Sequence, residues 1–243
     1  MRNRVWIGLF ALCGLAFAGQ EERNPAEVAV PQGGWALRRH AEKLDIEKSH
    51  KFDLLMIGDS ITHNFEKNEY QATWNQYFAP KNALDLGYSG ARTENILWNI
   101  RHGELDGQKP KAITLMIGTN NADERNYPTH HTPEQIYGGI KTIVEEIRDR
   151  LPQTKILLLG CFPYGAQPAR NSRGIVLRKT NELAKRLADD EHVFWLDVTK
   201  VFLNRDGSMN KGLMPDMLHP SPEGAHRWAD AMDGLLSKLM GED

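Results

Sequence analysis

This sequence predicts a three-layer α/β fold on a five-stranded parallel sheet, and three observations carry the prediction. Short apolar runs recur at Asp53 to Ile57, Ala83 to Leu86, Ala112 to Ile117, Ile156 to Leu159 and Val193 to Leu196, and none alternates cleanly between apolar and polar residues. Strands covered on both faces read this way, because neither face meets water. Segments of helical period separate most of the runs, and two of those segments carry start signals: Thr132 before Pro133 and Ser221 before Pro222, each an N-cap residue followed by proline at the first helical position.

Taken in order, the first run breaks at Gly58-Asp59-Ser60. The stretch Tyr70 to Phe78 before the second strand is aromatic enough to pack, without a period that fixes its form. Helices are expected at Thr93 to Arg101, Pro133 to Leu151, Arg173 to Asp189 and Pro222 to Met240. Ligands of open parallel sheets bind beyond the carboxyl ends of the strands, near the point where strand order reverses, so the loops after the strands are where chemistry is expected.

At 243 residues the chain suits one domain with one sizeable core. Its formal charge is −2, and no basic block or basic-aromatic stripe marks a nucleic-acid partner. Arg2 and Arg4 precede an uncharged stretch, Val5 to Ala18, that is short for a membrane span and ends in Ala16-Phe17-Ala18. That is the pattern of a signal peptide cut after Ala18, which predicts a secreted or periplasmic protein with no stable membrane insertion after cleavage. The expected organisation is a signal peptide over 1–18, a leader and N-terminal segment over 19–50, loose and polar from Gln20 to about Gly34, and the folded domain over 51–243. Cys13 leaves with the signal, so Cys161 is the one remaining thiol, expected buried and inert behind its apolar run.

Four loops supply chemistry: Gly58-Asp59-Ser60-Ile61 after strand one, Gly87-Tyr88-Ser89-Gly90 after strand two, Gly118-Thr119-Asn120-Asn121 after strand three, and Asp216-Met217-Leu218-His219 beyond strand five. Ser60 is a candidate nucleophile, His219 the base that takes its proton, and Asp216 the carboxylate that orients the imidazole. The Ser60 and Gly90 N–H groups and the Asn120 amide are candidate oxyanion donors. Ile61, Thr119 and Leu218 flank these groups and are expected to line the acyl pocket. Each residue also has a plain structural role: Ser60 as a helix cap, Asn120 as a turn residue, Asp216 with His219 as a local hydrogen bond. The conjunction of nucleophile, base, orienter and donors in post-strand loops favours acyl transfer.

Other polar residues point to no second chemistry. His130 and His131, near Asp123 and Glu124, lack metal-ligand spacing and read as a solvent-facing loop. His63 stands three residues beyond Ser60 as a rival base, with nothing in the sequence to orient its ring. His226 and Trp228 are explained by packing of the last helix. No metal or cofactor is expected.

The blocks GDSI with Ser60, GYSGA with Gly90, GTNN with Asn120 and DMLH with Asp216 and His219 resemble the SGNH (GDSL-like) hydrolase superfamily. Within it, the stretches ENILWNIRHGEL, from Glu94 to Leu105, and MIGTNN, from Met116 to Asn121, are similar to the catalytic subunits of the platelet-activating factor acetylhydrolase family. The resemblance runs from about Lys51 to Leu239 and implies a flavodoxin-like strand order, 2-1-3-4-5. It departs where relatives often carry Gly-Gly-Asp and this chain has Ser89-Gly90-Ala91, followed by Arg92, read either as tuning the entrance or as pairing with a surface carboxylate.

The sequence thus predicts a cofactor-free serine esterase acting on short-chain, acetyl-type esters of a small molecule or an extracellular glycan. A short-chain lipid esterase, a transferase or lyase using the same acyl-enzyme, and a carbohydrate-binding module on the same fold are the competing readings. Oligomeric state leaves no trace in the sequence.

Overall fold

A computed structural model describes residues 23–242 of the chain. The expected signal peptide lies outside the described residues. The apolar runs form β1 (Leu54–Gly58), β2 (Ala83–Gly87), β3 (Ala112–Met116), β4 (Lys155–Leu159) and β5 (Val193–Leu196). They pair in parallel in the order β2-β1-β3-β4-β5, as the resemblance implied. Every residue of β1 and β3 is buried, so the absence of alternation follows from helices on both faces.

Side-chain direction alternates along the strands and sorts them into two cores. Leu55, Ile57, Ile113, Leu115, Ile156 and Leu158 pack with residues of α4 (Thr93–Arg101), α5 (Pro133–Arg150) and α6 (Ser172–Ala184). Leu54, Met56, Ala112, Met116, Leu157 and Leu159 face the other way, toward α3 (Gln71–Tyr77) and α7 (Pro222–Met240). The aromatic stretch between the first strands is thus helix α3, and Phe65, Phe78 and Trp228 form its packed centre. Both expected N-caps form: the Thr132 hydroxyl accepts from Gln135 N–H, and the Ser221 hydroxyl from Gly224 N–H. Cys161 is buried, its thiol donating to the Ile117 carbonyl and pushed up to about 12 by burial, as an inert core thiol should be.

The N-terminal segment differs from expectation from residue 23 onward. Residues 24–32 are stitched to the fold rather than loose. Asn24 Nδ2 donates to the Gln135 carbonyl, Thr93 Oγ1 to the Ala26 carbonyl, and Val30 N–H to the Glu94 carbonyl, with Ala26 fully buried. After Gly33 and Gly34 the chain forms α1 (Gly34–Ser49), whose inner face is Ala36, Arg39, His40, Lys43 and Glu47.

Helix α1 covers β2, the edge strand, with charge. Arg39 donates from Nε to the Gly87 carbonyl at 2.8 Å and from Nη2 to the Asp85 carbonyl at 3.3 Å, satisfying acceptors that an edge would otherwise expose. Its guanidinium also grips Glu66 with two bonds of 2.7 and 3.0 Å, and Lys43 adds a third at 2.6 Å. Burial pushes the Glu66 carboxyl up, but these cations outweigh it and hold it near 2.

Glu47 on the same face is destabilised when charged. Burial first and then the neighbouring Glu104 push its carboxyl up to about 7 from 4.5. The folded chain therefore holds this proton where the unfolded chain has lost it. The associated stability is complete below the unfolded value and disappears as pH rises through about 7. Glu47→Gln should accordingly gain on the parent protein between pH 5 and pH 8, by about 1 to 2 kcal/mol. Urea midpoints at the two pH values measure it; a pH-independent difference would contradict the assignment.

Candidate active site

β1 lies between β2 and β3, so the chain order reverses at β1 and the loops after all three strands meet at one sheet edge. Gly58 is in register with Gly87 on one side and Met116 on the other, which puts Ser60, Gly90 and Asn120 two, three and four residues beyond aligned positions. The chain after Gly58 turns into a short helix, α2 (Ser60–His63), capped by the Asp59 carboxylate accepting from Ile61 N–H. α2 presses so closely on β2 that a Cβ at Gly87 would come within 2.3 Å of His63 N, so only glycine fits there.

Ser60 follows the capping residue, and its side chain turns to the histidine loop. Its Oγ lies 2.9 Å from His219 Nε2, and His219 Nδ1 lies 2.7 Å from Asp216 Oδ2. The other Asp216 oxygen accepts from the backbone N–H groups of Leu218, at 3.0 Å, and His219, at 2.7 Å. Burial alone would raise the Asp216 carboxyl; the bonds from His219 and Leu218 outweigh it and hold it below the usual range. The loop doubles back through Met217 at φ +64, a left-handed conformation rare for a side chain of this kind. Tyr70 fixes it from below, its phenol donating to the Pro220 carbonyl at 2.8 Å.

Ser60, Asp216 and His219 open onto a cavity of about 770 Å³ together with Asn64, Lys67, Tyr70, Ser89 and Gly90. Ser60 N–H, at the first position of α2, has no intrahelical acceptor. Gly90 sits at φ +79, a conformation glycine adopts without strain. Asn120 is buried and does not itself line this cavity; it is tied to the second loop, one Nδ2 hydrogen donated to the Ala91 carbonyl at 3.0 Å and the second left for another acceptor.

The three residues expected to wall the acyl pocket are not brought to this cavity. Ile61 follows Ser60 on the inward side of α2 and is buried in the core beside Phe65. Thr119 is buried, its carbonyl held by Arg173. Leu218 is half-buried, and only its backbone serves the site, through Asp216. Residues between β1 and α3 and around His219 line the cavity instead.

His63 is not a rival base for Ser60. Its ring stacks on Trp35 at 5.5 Å between centroids, and Nδ1 bonds Ser89 Oγ at 3.0 Å. Burial and then the Arg39 charge push the imidazole down to about 4, so it is neutral near pH 7. His131 also departs from expectation. It is buried, not solvent-facing, because Arg92 Nη2 and Asn121 Nδ2 both reach its ring, and burial and Arg92 keep it neutral. Arg92 does pair with a carboxylate, Glu94 at 3.2 Å, but in the interior rather than at the surface.

Sequence reasoning passed over three residues that set this geometry. Asn121 is fully buried and ties the third loop to Thr93, Glu94 and His131. Tyr127 donates to the Gly90 carbonyl at 2.6 Å, and Gln32 to the Ser89 carbonyl at 2.7 Å. Doubled asparagine was the only local signal for the first. Nothing local announces the other two, whose partners are 37 and 57 residues away.

This geometry agrees with known proteins of similar sequence and shape. The GDSL-like Lipase/Acylhydrolase family model matches residues 56–227. The human platelet-activating factor acetylhydrolase IB subunit alpha1 is 33% identical over 229 residues, covering 91% of this chain and 94% of the relative. The rat alpha2 subunit is 32% identical over 232 residues, covering 92% and 95%. Among solved structures, an acetyl xylan esterase superposes with a TM-score of 0.65 at 17% identity, covering 77% of this chain and 100% of the other. A catalytic mutant of an acetylxylan esterase from Geobacillus stearothermophilus gives 0.61 at 17% identity, covering 79% and 94%. With the family model spanning most of the chain and its serine, glycine, asparagine and histidine blocks at one sheet edge, this protein belongs to the GDSL-like lipase/acylhydrolase (SGNH) family of ester hydrolases, close to the platelet-activating factor acetylhydrolases.

Proposed function

We propose that this protein is an exported serine esterase that removes acetyl groups from carbohydrate, with Ser60, His219 and Asp216 as its triad. The continuous hydrogen-bond line from Ser60 Oγ through both imidazole nitrogens to Asp216 carries the reading. His219 Nε2 accepts the hydroxyl proton as Ser60 Oγ bonds to the ester carbon. The charge that develops on the carbonyl oxygen is met by the N–H groups of Ser60 and Gly90 and the free Asn120 hydrogen. Collapse breaks the bond to the alcohol, which leaves with the proton from His219, and water repeats the sequence to release acetate. Asp216, ionised well into the acid range, keeps Nδ1 protonated and Nε2 basic.

An acetyl substrate is supported by the names of the relatives, which are acetylhydrolases and acetyl xylan esterases. Carbohydrate is favoured over lipid by the polar side chains of Asn64, Lys67 and Ser89 in the cavity, and by Trp35, 39% exposed and stacked on the histidine that holds Ser89. An exposed indole at a site's edge suits the C–H face of a sugar ring. Export rests on the Arg2, Arg4 and Ala16-Phe17-Ala18 pattern; no helix among the described residues is long and apolar enough to cross a membrane.

The test is intact mass after incubation with a fluorophosphonate, beside turnover of p-nitrophenyl acetate, an acetylated xylo-oligosaccharide and a short-chain acetyl phospholipid. One adduct, absent in Ser60→Ala, with preference for the oligosaccharide, is the expected result. Preference for the phospholipid would move the substrate to lipid, and no adduct with no turnover would leave a binding module.

A further inference from the structure

We propose that Gln32, in the N-terminal segment, is a positioning residue for the oxyanion hole: it fixes the Ser89–Gly90 peptide so that Gly90 N–H faces the nucleophile. The inference rests on the reading of Gly90 as an oxyanion donor. In a trans peptide the C=O and N–H point in opposite directions, and the described chain contains no cis peptide. The Gln32 Nε2 bond to the Ser89 carbonyl at 2.7 Å therefore also sets the direction of Gly90 N–H.

Gly90 separates two cavities. Its near side lines the catalytic one with Ser60 and His219. Its far side lines a second cavity of about 490 Å³, which Gln32 and Tyr127 share and from which both reach the loop. Neither side chain lines the catalytic cavity, so each acts through the backbone. Tyr127 fixes the following peptide by its bond to the Gly90 carbonyl, and Ala91 N–H returns to the Tyr88 carbonyl at 2.9 Å. The two side chains flank the glycine so closely that a Cβ there would lie 3.2 Å from Gln32 Nε2 and 3.3 Å from Tyr127 Oη.

Glycine needs such anchors. At φ +79 it has no Cβ to bias its peptide planes, and the Ser89–Gly90 unit can rotate its N–H away from the site at little steric cost. Gln32 is itself held in place. Val30 bonds α4 in both directions, its N–H to the Glu94 carbonyl and its carbonyl from Asn95 Nδ2, which brings the next turn of chain over Ser89. The segment that precedes the sheet is thereby part of the catalytic apparatus.

The test is kinetic, on the full chain. Gln32→Met keeps the bulk and removes the donor; Gln32→Lys restores a donor of similar reach. In Gln32→Met, kcat for p-nitrophenyl acetate should fall about 10-fold, less than the 10² to 10³ that follows outright deletion of a donor. KM should stay within about twofold, since an interaction made only in the transition state is lost. Fluorophosphonate labelling should slow in parallel, because its phosphoryl oxygen occupies the same hole, and Gln32→Lys should recover most of both rates. An unchanged kcat in Gln32→Met, or a loss that Gln32→Lys shares together with a fall in melting temperature, overturns the positioning role. Asn120→Ala run alongside separates the two levels: loss there and none in Gln32→Met removes only the role of Gln32, and no loss in either removes the role of Gln32 and also places Asn120 outside the hole.

Discussion

His219→Ala is expected to lower kcat for p-nitrophenyl acetate by on the order of 10⁶-fold, and combining it with Ser60→Ala should cost almost nothing more. The reason is geometric. Among the described residues Ser60 Oγ has a single basic partner, His219 Nε2 at 2.9 Å, and His63 nearby is engaged with Ser89 and held neutral by burial and nearby cations. Without His219 no group takes the hydroxyl proton, so the serine is as unreactive as if it were absent. Asp216→Asn should cost less, at most about 10⁴-fold. Its side chain is 55% exposed and is held by two backbone N–H groups as well as by the ring, so water partly replaces its charge while the loop keeps its shape. Steady-state rates of the three variants, with active-site titration to exclude traces of parent enzyme, measure the ladder. An additive double variant would mean that Ser60 and His219 act separately.

Legibility followed chemistry that is local in the chain. The strands were readable because each is a short apolar run covered on both faces, and α7 and α5 because their apolar residues keep helical period and their starts are marked. Helix α1 was not, although its inner face repeats at helical spacing, because that face is Arg39, His40, Lys43 and Glu47, and hydrophobic patterning is blind to a charged interface. The meeting of Ser60, His219 and Asp216 was readable because GDSI and DMLH each place a polar side chain in a loop at the same sheet edge. The cavity wall was not: Ile61 was expected to line it as the nucleophile's neighbour, but one step along α2 rotates the side chain about 100° and turns it into the core. The supports of the loops were hidden for a different reason. Gln32, Tyr127 and Arg92 act through backbone carbonyls or buried rings distant in sequence, and such partners become visible only when the chain is folded.

Asn120→Ala should reduce kcat by about 10² to 10³, equivalent to about 3 to 4 kcal/mol, with little change in KM. Of the three proposed oxyanion donors it is the only side chain, and so the only one that substitution removes cleanly. Its amide has two hydrogens. One is spent on the Ala91 carbonyl, which locks the group in place, and the rigid third loop beneath it is tied down by Asn121. In the proposed mechanism the second hydrogen then meets the oxyanion without reorganisation, and preorganisation is what makes such a donor effective. Alanine also frees the buried Ala91 carbonyl, so part of any loss could come from a shifted loop. Asn120→Asp separates the two causes: it keeps the shape, removes both donors and places a carboxylate beside the forming oxyanion. It should therefore be the slower enzyme of the pair, although its packing is closer to the parent. A loss below tenfold in Asn120→Ala, or an Asn120→Asp enzyme faster than it, would place Asn120 outside the hole and leave the backbone donors of Ser60 and Gly90 to hold the charge alone.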